Sequence, residues 1–175
     1  MVSVTLDTNC VMDLQEDQRP EFRQAMEELL KLAEIHQLDL AVTTRVESEV
    51  KEDSTVKVYQ SLIEMGQIKV IPSTTRLGHW KLGVDELPDE QLWRRIAEAV
   101  FPNKDAEILF RPGNSRIKGF VVVDHLYGQL RSKSDFFVTR DGHDIIRANK
   151  RLAAIGIRVC TPQELIQEIQ KVSGK

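Results

Sequence analysis

Cysteine is scarce in this chain: two in 175 residues, Cys10 and Cys160. Two isolated thiols form neither a disulfide framework nor a metal-ligand pair at motif spacing, and their apolar neighbours read as the surroundings of buried thiols. Long apolar runs are absent too. No stretch reaches the roughly 18 consecutive apolar residues needed to cross a bilayer. The first residues lack a basic segment followed by an apolar run and a small-residue cleavage site, so no signal peptide and a cytoplasmic location are expected. Repeats and low-complexity tracts are missing, and no glycine follows the first predicted strand, where a dinucleotide-binding turn needs it.

What remains is an ordinary globular composition, 41% hydrophobic and 29% charged, of a length that suits one domain. The net charge of −3 is unevenly spread. Residues 1–100 hold 11 Lys/Arg against 19 Asp/Glu, whereas residues 101–160 hold 11 against 6. A local basic excess of this kind can meet phosphates on a mildly acidic chain.

Short β-branched runs alternate with helical periodicity. Val2–Leu6 and Leu38–Thr43 read as buried strands, with shorter ones at Ile68–Ile71, Asp135–Thr139 and Ile157–Cys160. Helices are predicted from Pro20 to about Gln37, from Thr44 to Met65, from Pro88 to about Phe101, from Phe120 to about Ser132, and from Asp144 to Ala154. Thr161-Pro162-Gln163-Glu164 is a capping box opening a last helix. Residues 72–88 and 102–118 lack periodicity and read as loop and extended connection. This alternation predicts an α/β fold: a three-layer α/β/α sandwich around a central, mostly parallel sheet of four to five strands, as a single domain over 1–175 with a longer insertion at about 72–118.

In such sheets ligands bind beyond the carboxyl ends of the strands. Asp7 closes the first strand, Glu49 follows the second by one to two helical turns, Asp124 interrupts the apolar run Val121-Val122-Val123, and Asp141 follows the strand ending at Thr139. Four carboxylates gathered at one edge repel one another unless a cation offsets them. One or two Mg²⁺ or Mn²⁺ ions suit an all-oxygen ligand set and activate water for phosphodiester hydrolysis without a catalytic Ser, Cys or His. An aspartyl-nucleophile phosphatase of the haloacid dehalogenase type wants a second Asp two residues after the first, where this chain has Asn9.

These residues resemble the PIN domain family, which includes the VapC-type toxin ribonucleases. Asp7-Thr8-Asn9 with Asp13 resembles the opening motif. Thr43-Thr44-Arg45-Val46-Glu47-Ser48-Glu49 resembles the second, in which a strand-end Ser or Thr precedes the acid by six residues and so selects Glu49 over Glu47. Asp124 matches the third acid, and Thr139-Arg140-Asp141 with Asp144-Ile145 resembles the last motif. The resemblance spans roughly residues 2–160. It implies metal-dependent hydrolysis of RNA by a metal-activated water, leaving a 5′-phosphate and a 3′-hydroxyl. The implied ligands are Asp7, Glu49, Asp124 and Asp141, with Thr8, Asn9, Thr139 and Asp144 orienting carboxylates or waters. The family also makes an antitoxin-type protein and a second copy of the chain candidate partners beside RNA. The longer 72–118 region departs from the minimal toxin members. A catalytically inactive PIN-like module that binds RNA or protein is the alternative.

For phosphate binding the sequence offers Arg111, Arg116, Lys118 and Arg140, with Arg131 and Lys133 extending a basic rim. His125 and His143 flank proposed acids, and flanking residues on a helix or turn are expected to point elsewhere. Trp93 falls on the apolar face of its helix and reads as core, whereas Trp80 stands in a loop with the option of stacking on a base.

Overall fold

The computed structural model describes residues 1–15, 19–35, 38–50, 53–74, 89–103 and 117–173. Arg111, Arg116 and Trp80 lie outside these residues, as do the side chain of Lys118 and most of the 72–118 insertion.

The element order is β1 (Val2–Leu6), α1 (Thr8–Asp13), α2 (Pro20–Glu34), β2 (Leu38–Thr43), α3 (Arg45–Glu49), α4 (Asp53–Glu64), β3 (Lys69–Ile71), α5 (Glu90–Val100), α6 (Ile117–Arg131), β4 (Phe136–Val138), a 3₁₀ turn (Ile146–Ala148) running into α7 (Asn149–Ala153), β5 (Val159–Cys160) and α8 (Pro162–Ser173). The five strands form one parallel sheet in the order β3-β2-β1-β4-β5. β1 is central, with Val4 opposite Leu40 on one side and Phe136 on the other.

Side chains alternate across the strands and so feed two cores. Val4, Leu6, Leu40, Val42, Phe136 and Val138 pack beneath Cys10, Met26, Leu29, Leu62 and Leu165, from the helices of one layer. Phe137 and Val159 face Trp93, Ile96, Val123, Leu126 and Leu152 on the other. This is an α/β/α sandwich. Both cysteines are buried, and burial raises both thiols, that of Cys160 to about 12.

Two helical expectations are corrected. The run expected from Thr44 to Met65 breaks at Val50, whose backbone is extended (φ −76°, ψ 107°). The apolar spacing continues through the break, so periodicity hides it, while Asp53-Ser54-Thr55 supplies the residue types that favour a fresh helix start. The helix expected from Asp144 begins later, at a 3₁₀ turn, because Asp141 Oδ1 accepts the amides of both His143 and Asp144 (3.0 Å each) and holds a tight turn there.

α6 lies very close to the sheet. A Cβ on Gly128 would stand 2.9 Å from the carbonyl oxygen of Pro72 and 2.9 Å from Thr43 Cγ2, so only glycine permits this approach. The close passage brings the helix over the end of β2, where Thr43 meets His125.

Candidate functional site

The strand order reverses direction at β1. The chain moves outward through β2 and β3, then returns to place β4 on the other side, which makes the β1/β4 carboxyl ends a switch-point crevice. Asp7 sits in it. Its amide continues the ladder to the Val138 carbonyl (2.9 Å), its backbone is extended, and α1 begins at the next residue. The carboxylate is buried and held from three directions. Oδ1 accepts the Thr8 amide (2.8 Å), while Oδ2 accepts Asn9 Nδ2 (2.6 Å) and the Thr139 hydroxyl (2.6 Å). Asn9 in turn donates to Thr139 Oγ1 (3.1 Å) and accepts the Arg140 amide (3.2 Å). A knot of short polar side chains thus joins the ends of β1 and β4.

Glu49 closes α3 beside this knot. Its Oε2 accepts the Thr8 hydroxyl and lies 2.8 Å from His125 Nε2. His125 projects from α6 and is only 1% exposed. Its Nδ1 lies 2.5 Å from Thr43 Oγ1, so each ring nitrogen has an oxygen partner and both can donate when the ring is charged.

Burial alone would push the His125 proton off, but the hydrogen bond to Glu49 and the charges of Asp7, Glu49 and Asp124 outweigh it and raise its affinity for protons. Burial likewise works against ionised Glu49, yet His125, Thr8 and Arg45 prevail and lower it. At Asp7 burial wins: the carboxyl is raised despite the help of His125 and Thr139, and the charge of Glu49 adds to the rise.

A testable pH dependence follows from the sign of these shifts. A histidine raised in the folded state contributes stability that is fully present below its unfolded value of about 6.5 and is lost as pH rises through its folded value. Melting temperatures between about pH 6 and pH 9 are therefore expected to fall with rising pH, and His125→Gln is expected to flatten that slope. Parallel slopes in the two proteins would exclude His125 as the source.

Asp124, although adjacent to His125, faces another way along the helix. It is 1% exposed, its Oδ1 accepts the indole N–H of Trp93 (2.9 Å), and its Oδ2 lies 3.1 Å from Arg45 Nε. Arg45 is itself buried and donates through Nη2 to the Thr74 carbonyl (2.9 Å). Trp93 is fully buried as expected, with this polar bond added. The desolvation cost that made Asp124 conspicuous in the sequence is met within the protein.

Asp141 follows Thr139, whose Oγ1 accepts its amide (3.0 Å), and it spends Oδ1 on the turn already described. Asp144 pairs with His143 Nδ1 (2.9 Å) at the surface. Arg140 turns inward, its Nε 2.8 Å from Oδ1 of the wholly buried Asp13. One element of the basic rim is corrected. α6 runs back across the sheet, so Arg131 and Lys133 at its far end lie by the start of the strands, where Asp135 bonds Ser3. That is the edge opposite Asp7.

No protein-family model matches the chain, and no curated protein matches its sequence.

Two residues central to this site escaped the sequence reading: His125, expected to point away from the acids, instead faces Glu49, and Arg45 was not singled out. Their only signal was adjacency: His125 to Asp124, and Arg45 to the strand-end Thr43-Thr44. Among the described residues no three His, Cys, Asp or Glu side chains form a ready-made chelate, and no helix is long and apolar enough to cross a membrane.

Proposed function

We propose that the protein is a metal-dependent ribonuclease that hydrolyses RNA phosphodiester bonds at the β1/β4 crevice. The observation that carries this reading is Asp7: a buried carboxylate at the switch point, aimed by Thr8, Asn9 and Thr139 and beside a second carboxylate, Glu49. Burial and the negative charge of Glu49 both make ionised Asp7 costly, and a divalent cation relieves that cost with the oxygen ligands it prefers.

Asp7 and Glu49 would hold the ion, with Asp141 adjoining. When bound, Mg²⁺ or Mn²⁺ supplies Lewis-acid polarisation of a phosphoryl oxygen and a more acidic water. The protein's own contribution is positional. Thr139 and Asn9 fix the Asp7 oxygens; Thr8 and His125 fix Glu49. The same two acids raise the proton affinity of His125, so a proton on its ring offsets part of their charge.

One observation favours a second reading, a module that binds RNA or a protein partner without cutting: Asp124 and Arg140 both spend their charge inside the fold. Cleavage of structured and unstructured RNAs during a Mn²⁺ titration separates the two. Cleavage is expected to appear with Mn²⁺ and to vanish on adding EDTA. Cleavage that survives EDTA, or that never appears although the protein binds RNA, would overturn the nuclease reading.

A further inference from the structure

Arg45 and Asp124 form a buried ion pair, their side chains 5% and 1% exposed. Exposed pairs form and break at little cost, but a buried pair cannot be separated without stranding a charge. The pair is also fixed at both ends. Arg45 donates to the Thr74 carbonyl, and Asp124 accepts from the indole of the fully buried Trp93. Arg45 lies close enough to Glu49 to act on its ionisation as well.

We infer that Arg45 is the resident cation of Asp124, holding it out of the ion-binding set, so that the crevice takes one divalent ion rather than two. This deepens the proposed function and rests on its reading of Asp7 and Glu49 as ligands. Two arguments converge. Both Asp124 oxygens already have protein partners, one of them a full positive charge, so the carboxylate has little negative potential left to offer. A second dication beside Asp124 would also stand next to the Arg45 guanidinium, and two cations in a site of low dielectric repel strongly. Asp124 is thereby a positioning residue. It anchors α6 to α3 and α5, and so holds His125 against Glu49.

Calorimetric titration of Mn²⁺ into the full chain tests this without reference to activity. The wild type is expected to bind one ion. Asp7→Asn is expected to weaken binding by more than about 100-fold, beyond what loss of an outer group costs. The double variant Arg45→Met/Asp124→Asn removes the pair together and avoids stranding either charge, and is expected to weaken affinity by less than about 100-fold, within the cost of losing a positioning group. Two ions per wild-type chain, or a double variant as weak as Asp7→Asn, would make Asp124 a ligand and overturn the inference while leaving the metal-site reading intact. A wild type that binds no Mn²⁺ would overturn both. Cooperative melting of the double variant confirms that it is folded when titrated.

Discussion

Arg45→Met is expected to cost about 3–5 kcal/mol of folding free energy, the range for breaking a buried ion pair from one side. The loss comes from what remains rather than from the missing attraction. Asp124, 1% exposed, would keep its indole bond and lose the charge opposing its own. With typical total stabilities of about 5–15 kcal/mol, the single variant stands near the edge of folding. Adding Asp124→Asn removes the stranded charge, keeps an oxygen for the Trp93 indole, and is expected to recover most of the loss, because removing a buried pair from both sides leaves no unopposed charge. Chemical denaturation of the two single variants and the double gives the coupling directly. Additive losses would mean that the pair contributes nothing as a pair.

The second large effect is expected at Asp7, where stability and activity should separate. Asp7→Asn keeps an oxygen for the Thr8 amide and presents an amide nitrogen where Oδ2 met Asn9 and Thr139. Asn9 retains its bond to Thr139, whose Oγ1 already accepts the Asp141 amide as well, so the new nitrogen meets Asn9 donor to donor and part of the hydrogen bonding is lost. The substitution also removes a carboxylate whose proton affinity is raised mainly by burial. A raised carboxyl loses stability as pH climbs through its titration, so the neutral amide avoids a cost that Asp7 carries at neutral pH. The melting temperature is expected to stay within about 2–4 °C, the shift that 1 kcal/mol produces in a domain of this size. Mn²⁺-dependent RNA cleavage is expected to fall by more than about 100-fold, since the loss of a direct ligand exceeds that of an outer one. A variant that melts normally and cleaves like the wild type would remove Asp7 from the active site.

The strands were legible because their determinants are local. Val2–Leu6 and Leu38–Thr43 are β-branched, apolar and ended by polar caps, and both have the predicted bounds in the structure. The capping box before α8 was equally plain: Glu164 Oε2 accepts the Thr161 amide (2.7 Å), and Thr161 Oγ1 accepts that of Glu164 (3.2 Å). The break at Val50 was not legible, since helical spacing persists on both sides of it. Asp7 could be placed because a strand end fixes where a short acid stands, and Glu49 through its spacing from Thr43 in the motif it resembles. Arg45 and His125 could not, because their roles depend on tertiary placement. A long guanidinium can reach in several directions from a helix as short as α3. The direction of His125 was fixed by how closely α6 approaches β2, and that depends on Gly128 meeting Thr43 and Pro72. A lone charge in an apolar run signals that a partner exists, and the sequence does not say whether that partner is a metal or an arginine.

The central position of β1 bears on how the protein is made. β1 is made more than a hundred residues before one of its neighbours, since Val4 pairs with Phe136. Contacts this distant along the chain close slowly, and until they do β1, paired with β2 on one side, leaves its other edge exposed. During synthesis, Asp7 gains the Thr139 hydroxyl only after the β4 segment has left the ribosome. A nascent fragment ending before residue 136 has the first acid but not the pocket that aims it.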